Sequence, residues 1–188
     1  NTGSATLSFN HTIGSGTNRL LVVCVTMRGG NPRDVSDVYY NGVRLTVVTS
    51  RLEGGGPNPR IQVSLWYHLD ASLPAAGTYA VQVDVSGGNP DGLTAGAISV
   101  TGAEQQAPED FLQGGGSSVF SVMQNTTTLT NGAWVFESYG AGDPATLTAT
   151  PDQTEFYELT AGGSGPSGAG AYEARSTAGT VTHTWASS

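Results

Sequence analysis

The sequence predicts an all-β fold: an antiparallel β-sandwich of jelly-roll or Greek-key type, built as a single domain over 1–188. Three observations carry that prediction. Apolar residues alternate with polar ones at a period of two from end to end, the signature of half-buried strands. Turn signals rich in Gly, Pro and Asn separate the alternating runs at the spacing of sandwiches. Only 103–112 could make a helical turn or two, and Pro108 interrupts it. A dozen short strands without helices between them require an antiparallel sheet, and two stacked sheets are the simplest arrangement.

The elements follow in order. Leu7, Phe9, His11 and Ile13 share one face of a first strand, opposite Ser8, Asn10 and Thr12. The run 19–27 is a continuous apolar stretch apart from Arg19 and Thr26, as in a central strand covered on both faces. Val38-Tyr39-Tyr40, Asn41-Gly42 and Val43 onward read as a hairpin, because Asn-Gly supplies the two positive φ angles of a type I′ turn. Ile61, Val63, Leu65, Tyr67 and Leu69 alternate with Gln62, Ser64, Trp66 and His68. Further strands are expected over 79–85, 97–100, 119–123, 133–139, 145–150, 154–159, 171–175 and 181–185. Turns fall at 54–57, 87–90, 114–116, 131–132 and 142–144.

Composition narrows the functional classes. The chain has 188 residues and a net charge of -8, and all seven basic residues are Arg. Such a surface repels phosphate, so neither nucleic acid nor an anionic membrane is an expected partner. No apolar run approaches the ~20 residues of a membrane-spanning helix, so no membrane insertion is expected. Abundant Gly and Thr, the absence of Lys and a start at Asn1 suit a processed, secreted or cell-surface chain. The single Cys24 lies in an apolar run and reads as a small buried hydrophobe. Sequons at Asn10 and Asn125 are as frequent as chance allows, and they decide nothing.

The ordered series of segments resembles a Gly/Thr-rich β-sandwich module of bacterial secreted, surface and phage-tail proteins. The residues that carry it are 11–23, 38–46, 65–69, 76–83, 96–103 with Gln106-Ala107-Pro108, and 180–185. More loosely, the architecture is similar to jelly-roll tubule and filament subunits. The resemblance implies an extracellular, non-catalytic module for display, adhesion or assembly, and supplies no catalytic residues. Such modules would carry another apolar strand after the one containing Trp185. A sheet lacking it would expose unpaired backbone groups, so a strand from another copy is expected to fill the gap. The donor would be 2–12, with Leu7, Phe9 and Ile13 as the assembly strand.

Catalytic chemistry is sparse. Gly-x-Ser-x-Gly is absent, and the Gly-x-Gly-x-x-Gly match at 163–168 precedes no helix, so it reads as a loop. His11, His68 and His183 lack metal-ligand spacing; His11 and His183 fall on apolar-phase positions, where a hydrogen-bonded core or rim histidine is expected. Calcium through loop oxygens is the metal chemistry the residues admit, at Asp34 with Asp37, Asn89 with Asp91, and Asp143. No other cofactor is expected. Glu137, Glu155, Glu158 and Glu173 lie on late strands and could meet, though exposed strand faces are their ordinary location. Trp66 falls in phase with Gln62 and His68. With Tyr40, these residues would form an outward platform for a glycan or a protein. Trp134, in phase with Phe136, is assigned to the core. The leading expectation is a non-enzymatic structural module that associates with copies of itself through β-edges or mediates adhesion. A carbohydrate-binding module is the alternative.

Overall fold

The computed structural model describes residues 5–54, 60–116, 121–150 and 152–188. The Gly-rich turn expected at 54–57 and residues 119–120 of an expected strand fall wholly or partly outside them, as do residues 2–4.

The chain is all-β and antiparallel, with fourteen strands among the described residues. Sheet 1 has the order β1 (Thr6–Ile13), β7 (Gly77–Ser86), β3 (Asp34–Tyr40), β4 (Val43–Arg44). Sheet 2 has β5 (Thr46–Glu53), β6 (Arg60–Leu69), β2 (Leu20–Gly29), β8 (Gly92–Val100). Sheet 3 has β10 (Trp134–Ala141), β13 (Ser167–Ala174), β12 (Thr154–Thr160). Sheet 4 has β11 (Leu147–Ala149), β14 (Gly179–Ser187), β9 (Ser121–Thr128). The antiparallel sandwich therefore has four sheets where two were expected, stacked in the order 1-2-3-4.

Strand β2 shows why four layers form. Leu21, Val23, Val25 and Met27 join Val38, Tyr40, Val81 and Val83 in the core between sheets 1 and 2. Val22 and Cys24 point the other way, against Phe136, Phe156 and Tyr157 of sheet 3. An apolar run without alternation is what a strand between two layers requires. Sheets 3 and 4 close over Leu147, Ala169, Ala171 and Trp185, with the Tyr139 ring stacked on Trp185 at 5.3 Å and 9°.

The middle interface brings the backbones close. A Cβ at Gly96 of β8 would run into the Tyr157 ring, and one at Gly140 of β10 would meet the Thr26 side chain. Cys24 lies fully inside this layer. Its thiol donates to the Glu137 carbonyl at 3.3 Å, and burial pushes its pKa up to about 12.

The hairpin at Asn41-Gly42 forms as expected, with φ of 50° and 76°. The helical turn expected within 103–112 does not form; the one short 3₁₀ turn among the described residues is Asp70–Ser72. Pro108 removes a backbone donor, and side-chain hydrogen bonds of Gln105, Glu109 and Asp110 tether the segment instead. No described helix is long and apolar enough to cross a membrane.

Two expectations about assembly are corrected. The strand carrying Trp185 is β14, and it is flanked by β9 on one side and the short β11 on the other, so no lane beside it is left wholly empty. The first strand is not spare: β1 pairs with β7 of its own chain over eight residues. Leu7 and Phe9 pack against the chain's own core, and Ile13 is buried in it.

Candidate binding cleft

The platform inferred from β6 is not on the surface. Trp66 is 4% exposed and lies in the core between sheets 1 and 2. Its indole N–H donates to Ser64 Oγ at 2.9 Å. Gln62 is also buried; its carbonyl oxygen accepts the Val35 N–H at 2.6 Å and its amide donates to Ser50. His68 is buried, and Tyr40 is fully buried with its hydroxyl donating to the His11 carbonyl at 3.1 Å. Hydrogen bonds of Gln62 and Ser64 let the polar phase of β6 pack on sheet 1, although the buried His68 Nε2 there has no partner. The apolar phase (Val63, Leu65, Tyr67, Leu69) turns instead toward a cavity.

That cavity, about 560 Å³, opens between sheets 2, 3 and 4 and the segment 101–114. The segment acts as a strap from β8 toward β9. Glu109 accepts the Leu129 N–H at 2.8 Å and the Thr130 hydroxyl at 2.7 Å, while Asp110 accepts the Thr127 N–H at 3.3 Å. Both carboxylates thus cover the neighbourhood of the β9 edge, and the hydrogen bonds to Thr130 and Leu129 lower the Glu109 pKa. On the other side Gln113 reaches the Thr49 hydroxyl and the Ser50 carbonyl of β5.

At the rim stands Trp134, 46% exposed. Its ring is stacked on Tyr172 at 5.0 Å and 12°, with Phe136 at 6.1 Å. Phe111 and Leu112 of the strap are also exposed at this cleft. The assignment of Trp134 to the core is therefore corrected. It shares a face with Phe136, but it begins its strand, where the cover over that face ends. Residue types gave no sign of this; the one local signal is the Asn131-Gly132 turn just before Trp134.

The inner wall of the cleft is polar. Glu137 Oε2 accepts the Trp185 indole N–H at 2.7 Å and the Gln153 amide, and Glu137 Oε1 faces His183 Nδ1. His183 Nε2 lies 2.9 Å from Glu173 Oε2, and Arg175 donates to Glu173 Oε1 at 2.7 Å. Two of the four glutamates considered thus meet, with the imidazole between them. Burial pushes the His183 pKa down. A hydrolytic carboxylate pair needs open space for a sugar or a water between its members; here the imidazole fills it. The other two serve β11: Glu155 accepts the Ala149 N–H and Glu158 the Leu147 N–H.

The calcium candidates are not gathered into a site. Asp37 pairs with Arg44, Asp91 with Arg33 at 3.4 Å and Asp143 with Arg28 at 2.7 Å. Asp34 shares β3 with Asp37, and Asn89 precedes Asp91 in the turn between β7 and β8. Among the described residues no three His, Cys, Asp or Glu side chains converge as a metal centre would require. Compared with protein-family models, curated proteins and solved structures, the chain finds no match.

Proposed function

We propose that the chain is a non-catalytic, secreted binding module that takes a neutral oligosaccharide in the cleft between the strap and β10. One observation carries this reading: a half-exposed indole, held flat by a ring stacked behind it, stands at the mouth of a cavity of about 560 Å³. A pre-set aromatic face offers a large apolar contact to a sugar ring at little entropic cost. The cavity lining also includes Gln106, Gln113, Gln124 and Asn131, amides that carry both donor and acceptor atoms. Charge argues for a neutral ligand. Glu104, Glu109, Asp110 and Glu137 line the cleft, and the one lining arginine among the described residues, Arg51, is paired with Glu53. The non-catalytic part of the reading rests on Glu137 and Glu173, whose oxygens are engaged by His183, Trp185 and Arg175.

Screening the protein and its Trp134→Ala variant on arrays of neutral gluco-, xylo-, manno- and chito-oligosaccharides tests this. Truncating the principal aromatic contact costs about 2 kcal/mol of binding, roughly thirtyfold in affinity. Glycan binding that is unchanged in Trp134→Ala, or absent from the parent across the array, overturns the reading.

A further inference from the structure

We propose that β1 is a self-association edge that pairs antiparallel with β1 of a second copy, joining two sheets 1 into one continuous sheet across a two-fold axis. Sheet 1 ends at β1, and no described strand pairs with its outer side. The Val85 N–H bonds to the Ala5 carbonyl, which makes 5 and 85 a hydrogen-bonded pair. Alternation along the ladder then turns the even residues outward. Ser8, Asn10 and Thr12 therefore aim backbone N–H and C=O groups at the open side.

Five of the other seven edge strands among the described residues are blunted, while β8 has its first five residues buried and β10 carries Glu137. Strands β5 and β12 are bulged, β4 has two residues, β11 has three, and the strap's carboxylates guard β9. Strand β1 has none of these devices. Its ladder runs unbroken for eight residues and contains neither Pro nor any Asp, Glu, Lys or Arg. A chain of net charge -8 resists self-association, but this strand brings no like charges face to face.

Its sequence is also self-complementary. With Asn10 on the two-fold axis, Asn10 faces Asn10 of the second copy and Ser8 faces Thr12, both as hydrogen-bonded pairs. Phe9 then faces His11 and Leu7 faces Ile13 on the core side. Asn meets Asn, Ser meets Thr, Leu meets Ile and one aromatic ring meets another, and all outward backbone groups of Ser8, Asn10 and Thr12 find partners. The donor-strand idea is thereby replaced: β1 stays in its own sheet and extends it.

The full-length chain tests this directly. Sedimentation velocity over a concentration series should show a monomer–dimer equilibrium. Asn10→Pro removes one outward N–H without touching the β7 ladder, so it should give monomer at concentrations where the parent dimerises, with thermal stability retained. Register is read by cross-linking. Hydrogen-bonded antiparallel partners lie about 5.5 Å apart at Cα, within disulfide reach, and Cys24 is buried. Mild oxidation should therefore couple Asn10→Cys into a covalent dimer, whereas Ser8→Cys should stay uncoupled. A monomeric parent throughout the series, a dimer that survives Asn10→Pro, or equal coupling of the two cysteine variants each overturns the proposal.

Discussion

Replacing Gly96 by Ala places one methyl group at the tightest contact between sheets 2 and 3. The new Cβ would overlap the Tyr157 ring, not a flexible chain end that could swing aside. That ring is held by the Phe156 ring at 5.4 Å and by the apolar cluster around Val22 and Cys24. Overpacking a core costs typically about 1–3 kcal/mol. A Gly→Ala change returns about 0.4–1 kcal/mol through the unfolded chain, which leaves a net loss of roughly 1–2 kcal/mol. In a domain of this size each kcal/mol moves Tm by about 2–4 °C, so a fall of about 2–8 °C is expected in calorimetry. Gly14→Ala is the internal control: nothing lies within 4 Å of its added Cβ and its φ is not positive. It should be neutral or slightly stabilising. Gly96→Ala should also cost less in a Tyr157→Leu background, because the obstacle is gone. If Gly96→Ala is as stable as the parent, sheets 2 and 3 do not pack as described and the four-layer stack is wrong.

Three further outcomes follow from the geometry. Trp66→Ala should destabilise the fold by about 3–5 kcal/mol in denaturant unfolding, the cost of emptying a core position, whereas Trp134→Ala should lose little stability. Stability should decline as pH falls below 6.5, partly because of His68. Burial holds its pKa below the ordinary 6.5 and its Nε2 has no partner, so the unfolded chain takes up the proton first. The contribution is complete above 6.5 and is lost below it, and His68→Asn should flatten the melting temperature against pH in that window. Finally, His183→Phe removes the group between Glu137 and Glu173. The buried Glu173 carboxylate then loses its imidazole partner, and a buried acceptor left unsatisfied costs about 1–3 kcal/mol, to be read in denaturant unfolding.

The strands were legible because their period is a direct consequence of one face packing. Strand β2 announced its two-sided burial through 19–27, and the Asn41-Gly42 turn announced its hairpin through φ. The faces of β6 were not legible. Alternation distinguishes two faces but does not say which one water sees when a second layer covers both. Gln62 and Ser64 look solvent-seeking in sequence, yet Gln62 is held by the Val35 N–H and Ser50, and Ser64 by the buried Trp66 indole. That is why Trp66 and Trp134 exchanged places between expectation and structure. For His183, a hydrogen-bonded interior was foreseeable from its apolar phase. Its glutamate partners were foreseeable only as a group of four, since pairing depends on how sheets 3 and 4 register. The strap was opaque because its hydrogen bonds come from isolated side chains such as Glu109 and Gln113, which leave no periodic trace.

Collisional quenching of tryptophan fluorescence by acrylamide bears most directly on the cleft. Trp66 and Trp185 are each 4% exposed and Trp134 is 46% exposed, so the quenchable emission belongs to Trp134. Adding the best-binding neutral oligosaccharide should shield that component, and Trp134→Phe should remove it. Quenching that is unaltered by a saturating oligosaccharide would place the sugar elsewhere and contradict the account.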